Sequence, residues 1–205
     1  EDSRWLSERY RGNFLKNPMS VCEVRISELD SPDEKVQETV QDMGHTHILL
    51  RGTPEGEQIG AKKGFFEPAF YGNTPDTMRF FVNRSHKRDI GVMLEISPEY
   101  LRRAVHLFEK KDPQAINYLL ANILFWIREY HIDGFVFRGL NENSSDFMKK
   151  AREIIKKEDN NVLFIGEEIS GKKTENFFDF EWNIELKTNM EQYLEADFAE
   201  RKQIY

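Results

Sequence analysis

Two hydrophobic rhythms alternate along this chain. Short runs rich in β-branched and aromatic residues read as strands, and longer stretches with apolar positions three and four apart read as helices. Met19 to Ser27 has the alternating character of a first strand. Pro32 and Asp33 open a helix through Met43, with Ser31 as its N-cap and Gly44 as its stop. Thr46 to Leu50 is a second strand, and Gly52 to Gly72 is a long, glycine-punctuated loop of the kind that binds ligands in compact domains. Thr74, as cap, and Pro75, in the first turn, begin a helix that runs to about Arg88. Ile90 to Ile96 is a near-continuous apolar run suited to burial on both faces. A basic, partly helical connector from Pro98 to Asp112 leads to a helix over Pro113–Tyr130, whose apolar residues include Leu119, Leu120, Ile123, Trp126 and Ile127. Strand four is Ile132 to Phe137, followed by an amphipathic, lysine-rich helix over Ser145–Glu158. Strand five is Val162 to Gly166, strand six lies within Phe177 to Ile184, and a last helix covers Lys187 to Tyr205. Residues 1–17, polar and aromatic, read as a lead-in segment; residues 18–205 read as one domain with no separate second domain.

Strand and helix in regular alternation imply βα units and a mostly parallel sheet. About six units are recognisable. A complete eight-stranded barrel typically takes ~250 residues, and this chain has 205. The expected architecture is therefore α/β, a TIM-type (β/α) barrel that is shortened or truncated. Composition narrows function more than fold. A net charge of −7 argues against a general nucleic-acid or anionic-membrane binder. No apolar run approaches the ~20 residues of a membrane span. One cysteine, Cys22, excludes an internal disulfide. His45 and His47 are two apart, but no third ligand of suitable type is near them, so they read as turn and strand-end residues. Neither a metal nor a cofactor is expected. His131 fits the C-terminal end of the preceding helix, and Asp133 sits at the start of its strand, the end of a barrel associated with stability rather than catalysis.

Six stretches carry a more specific signal. They are Pro18-Met19-Ser20-Val21-Cys22-Glu23-Val24, Met43-Gly44-His45-Thr46-His47-Ile48, the pair Gly64-Phe65-Phe66-Glu67-Pro68 and Tyr71-Gly72-Asn73-Thr74-Pro75-Asp76, His86 to Leu94, Asn122 to Gly134, and Val162-Leu163-Phe164-Ile165-Gly166-Glu167-Glu168. In this order and spacing they resemble the α-amylase superfamily, most closely the α-glucan branching enzymes and their trehalose-releasing relatives. The resemblance implies a barrel whose fourth strand ends in Arg-x-Asp, the Asp being the covalent nucleophile. Here Val136 and Arg138 stand at those two places. A guanidinium cannot attack an anomeric carbon and offers no acceptor to a developing oxocarbenium ion. The family's third-strand Asp and the His five residues later correspond to Glu95 and Tyr100, and its stacking Tyr falls at Gly60. The general-acid position alone survives, as Glu167.

Retaining glycosidases need two carboxyl groups ~5–5.5 Å apart, and Arg138 leaves Glu167 without that partner. An Arg138–Glu167 ion pair at the rim would hold the acid ionised, the wrong state for a proton donor. An inverting pair of Glu95 and Glu167 is a further reading. Phe65, Tyr71, Tyr100 and Trp182 are candidate sugar contacts, with core packing as the plainer use of such aromatics. The implied function is a catalytically inactive branching-enzyme-like domain that binds α-glucan or serves as a scaffold or partner subunit. The alternative is an active glycoside hydrolase or branching enzyme on α-1,4-glucans with Glu167 as general acid. The expected partners are an α-glucan or oligosaccharide, or a larger protein assembly. In the assembly case an exposed apolar edge is expected where strands seven and eight would lie.

Overall fold

The structure is a computed structural model and describes residues 2–11, 17–25, 34–51, 75–96, 113–138, 145–167 and 177–195. Within them the elements run α1 (Ser3–Arg11), β1 (Val21–Arg25), α2 (Glu34–Asp42), β2 (His47–Arg51), α3 (Pro75–Lys87), β3 (Gly91–Ile96), α4 (Pro113–Tyr130), β4 (Gly134–Phe137), α5 (Ser145–Glu158), β5 (Leu163–Glu167), β6 (Phe180–Trp182) and α6 (Ile184–Glu195). The strands form one sheet in the order β1-β2-β3-β4-β5-β6. Every neighbouring pair is parallel. This is an open, barrel-type wall of six strands with helices in the crossovers, the architecture expected of a shortened (β/α) barrel.

The two-residue period of a strand divides the side chains between two cores. Ile48, Leu50, Val92, Leu94, Phe135, Phe137 and Phe164 point outward and pack against helix residues such as Phe81, Ile123, Trp126, Phe147 and Ile155. Leu49, Met93, Val136, Leu163 and Ile165 point inward and pack together, with Met19, Val21, Phe180 and Trp182 at the edges of that cluster. Both faces of β3 are therefore buried, as its unbroken apolar run requires. At the N-terminal end of the inner layer, a Cβ on Gly91 would lie 2.5 Å from the His47 ring. The glycine leaves the space that the imidazole fills.

Helix ends follow their local chemistry. Gly44 takes a positive φ of 75° and donates its N–H to Gln41 O, closing α2. His131 closes α4 with φ 55° and donates its backbone N–H to Ile127 O. The lead-in contains a helix: α1 lies under the N-terminal ends of the strands, with Trp5 and Arg9 buried there.

Candidate functional site

The C-terminal rim of the sheet carries a ring of charge. Glu23 of β1, Arg51 of β2, Glu95 of β3 and Arg138 just after β4 share the inward parity of Val21, Leu49, Met93 and Val136. Arg51 donates from Nη1 to Glu23 at 2.6 Å and from Nε to Glu95 at 2.7 Å. Arg138 donates from Nη2 to Glu23 at 2.8 Å, and its Nε lies 3.6 Å from Glu95. Each arginine thus faces both glutamates, and the four formal charges cancel. Glu95 is the most enclosed, with 8% of its side-chain surface exposed against 37% for Glu23. Burial opposes the charge on Arg51, but Glu95 and Glu23 outweigh it and hold the guanidinium firmly protonated.

Arg138 also lies over the Trp182 ring, 5.1 Å from its centroid, the geometry of a cation–π contact. Trp182 is placed there by Asp179. That buried carboxylate accepts from Arg152 at 2.9 Å, from Lys156 at 2.7 Å and from the backbone N–H of Phe164 at 2.9 Å, fixing the approach to β6. Glu167 ends β5 and is the register partner of Trp182. Its side chain is outside the described residues, as are Phe65, Tyr71, Tyr100 and Gly60. Among the described residues, Arg138 contacts Glu23, Glu95 and Trp182. Glu23 and Arg51 were not singled out from the sequence. Their signal is a charged residue at an inward position of a barrel strand, which becomes visible once the strand's parity is known.

Chemically, the ring is a set of ion pairs with a guanidinium at the end of β4. Neither Arg138 nor Arg51 can act as nucleophile. Glu95 is engaged by both arginines. Among the described residues no cluster of three or more ligand-type side chains could hold a metal ion, and no helix is long and apolar enough to cross a membrane.

A second charged cluster lies at the opposite end of the strands. Asp133, which precedes β4, accepts from Trp5 Nε1 (2.9 Å), Arg9 Nη1 (2.6 Å), His86 Nε2 (2.8 Å) and the Val92 backbone N–H (2.7 Å). Arg9 reaches Asp159 with its other terminal nitrogen at 2.6 Å. Burial opposes ionisation of Asp133, yet His86, Arg9 and the Val92 amide overcome it and hold the carboxyl well below the usual range. This is the stabilising end of the barrel, in keeping with the position of Asp133 at the start of its strand.

Between β1 and β6, which pair with no strand on their outer sides among the described residues, runs an apolar groove of about 610 Å³. Met19 and Val21 form one wall, Ile165, Phe180 and Trp182 the other, and α6 contributes Leu186, Met190 and Leu194. All three of these α6 residues are more than half exposed.

No protein-family model matches the chain. Curated relatives do. A 1,4-α-glucan branching enzyme of Myxococcus xanthus is 26% identical over 263 residues, covering 89% of this chain and 35% of the relative. That of Fusobacterium nucleatum is 25% identical over 262 residues, covering 98% of this chain and 43% of the relative. Both alignments are longer than the chain, so they hold insertions in the relatives. Among solved structures, a noncanonic maltogenic α-amylase of Thermotoga neapolitana superposes with a TM-score of 0.67 at 15% identity, over 86% of this chain and 52% of that one. A maltogenic amylase of S. marinus gives 0.66 at 16%, over 89% and 42%. The chain is similar in sequence to α-glucan branching enzymes and has the fold of the α-amylases. It spans well under half the length of these curated relatives.

Proposed function

We propose that this α-amylase-like chain is a non-catalytic branching-enzyme-type domain, binding α-glucan or serving as a partner subunit instead of cleaving glycosidic bonds. The relatives supply the link to glucans. One observation carries the loss of catalysis: Arg138 stands at the end of β4 inside a ring of ion pairs with Glu23, Glu95 and Arg51. Glycoside hydrolysis in this family type needs a carboxylate there, facing a second carboxyl group. Glu167 is retained at the acid position, but with arginine at the nucleophile position a lone acid cannot complete the double displacement. Val136, buried in the inner cluster, occupies the place of the family's partner arginine. Trp182 and the aromatics Phe65, Tyr71 and Tyr100 remain the residues proposed for contact with a sugar.

The test is isothermal titration of the chain with maltoheptaose, run beside assays for hydrolysis and branching on the same sample. Binding without turnover is the expected result, and Arg138→Asp is expected to stay inactive because the partner arginine is still missing. Turnover abolished by Glu167→Gln would overturn the reading and establish an active enzyme with Glu167 as its acid. Absence of both binding and turnover would leave the partner-subunit role.

A further inference from the structure

We propose that the start of α1 is a proton-gated latch: His86, carrying a proton on each ring nitrogen, bridges Asp2 and Asp133 and holds Asp2 under the barrel while it stays doubly protonated. The geometry demands this state. His86 Nδ1 is 3.0 Å from Asp2 Oδ2, and Nε2 is 2.8 Å from Asp133 Oδ2. Ionised carboxylates only accept hydrogen bonds, and a neutral imidazole has a single N–H to give. Both contacts are therefore satisfied together only by the imidazolium. Trp5 stacks on the same ring, with centroids 5.0 Å apart and planes 15° from parallel, so the indole face lies on the cation. His131 donates from Nδ1 to the same oxygen of Asp2 at 2.8 Å.

The charged groups around His86 come from every element that meets there. Asp2 and Arg9 come from α1 and its lead, Asp133 precedes β4, and His131 ends α4. Asp159, after α5, is reached through Arg9. His47, at the start of β2, is held neutral by burial, which outweighs the pull of Asp133. Burial also opposes the charge on His86, but Asp133 and Asp2 overcome it and raise the imidazole above its ordinary value. A raised folded value means that the stabilising contribution is complete below the unfolded histidine pKa of ~6.5 and is lost as pH rises through the raised value. On deprotonation one ring nitrogen turns a lone pair toward a carboxylate, and that contact becomes repulsive. Arg9, forked between Asp133 and Asp159, keeps its charge throughout. The helix therefore loosens at its Asp2 end and stays anchored at its Arg9 end.

The experiment follows the tryptophan emission and the amide protection factors of residues 2–9 in the full chain, from mildly acidic to mildly alkaline pH. An imidazolium stacked on an indole quenches it, so emission is expected to rise, and α1 protection to fall, with one midpoint above the ordinary histidine value. Trp5→Phe is expected to remove the emission step and keep the protection step. Asp2→Asn removes one of the two carboxylates that hold the proton, and its midpoint is expected to move down toward the ordinary value. His86→Gln is expected to show no transition. Protection in α1 that ignores pH, a midpoint unmoved by Asp2→Asn, or a transition that persists in His86→Gln would overturn the latch. Should His86→Gln fail to fold, the direction of the Asp2→Asn shift decides alone.

Discussion

Asp133 receives hydrogen bonds from four different donors on both of its oxygens, and those donors come from three elements, α1, α3 and β3. Replacing it with Asn would remove the charge opposite Arg9 and His86 and turn one acceptor into a donor among donors. Breaking a buried pair from one side costs about 3 kcal/mol or more, so Asp133→Asn is expected to lower the urea midpoint by a loss of that order. The acid limb should change as well. Asp2 and Asp133 both titrate well below the usual carboxylate range in the fold. For Asp2, burial opposes this, and His131 and His86 prevail. Their contribution is whole above the unfolded value of ~3.9 and drains away as pH falls below it. The variant's midpoint should fall less steeply over that range than the parent's, and an unchanged acid slope would refute the assignment. At this scale the sequence displayed Arg138 itself plainly, because residue identity alone settles that a guanidinium is no nucleophile. It did not display Glu23 and Arg51 as its neighbours, since partner choice follows from strand register.

Elements were legible where periodicity and packing agree. The helices over Pro113–Tyr130 and Ser145–Glu158 have the ends expected of them, since each has a broad apolar face and a clear start. Strand four begins two residues later than its apolar pattern suggests. His131 is left-handed there, and the residues up to Asp133 form the turn. Helix α1 was hidden for a physical reason: its buried positions include the charged residue Arg9, and its start is the buried Asp2, so hydropathy marks neither as interior. Tight packing supplies a test at this scale. A Cβ on Gly166 of β5 would come within 2.3 Å of the Phe178 ring, which packs against the outer core. Gly166→Ala must displace that ring, and overpacking of this kind costs about 1–3 kcal/mol. The expected drop in Tm is measured by thermal unfolding. A neutral result would mean that the Phe178 ring yields freely to the added methyl group.

The whole molecule is asymmetric from end to end and from edge to edge. Its strand starts are tied together by buried ion pairs, and its two outer strands border an apolar groove. The alternation of strand and helix made the parallel barrel wall and its six units readable, because that rhythm is a property of the chain itself. How β1 and β6 face one another depends on closure, which no local pattern encodes. Large exposed apolar surfaces promote association. Leu194→Glu combined with Met190→Lys should lower light scattering on concentration while leaving the Tm nearly unchanged, as both side chains are more than half exposed. Equal scattering from parent and variant would show that this groove does not govern association.

The ring at the rim has one more consequence. Two positive and two negative charges, alternating at ion-pair distance, form an electric quadrupole, whose field dies away far faster than that of a single ion. The ring itself exerts almost no long-range pull or push on an approaching solute, whatever the charge of that solute. Among Glu23, Arg51, Glu95 and Arg138, no charge at this part of the rim is left unbalanced. Whatever these four side chains select, they select at touching distance, by shape and hydrogen bonding, and salt has little there to screen.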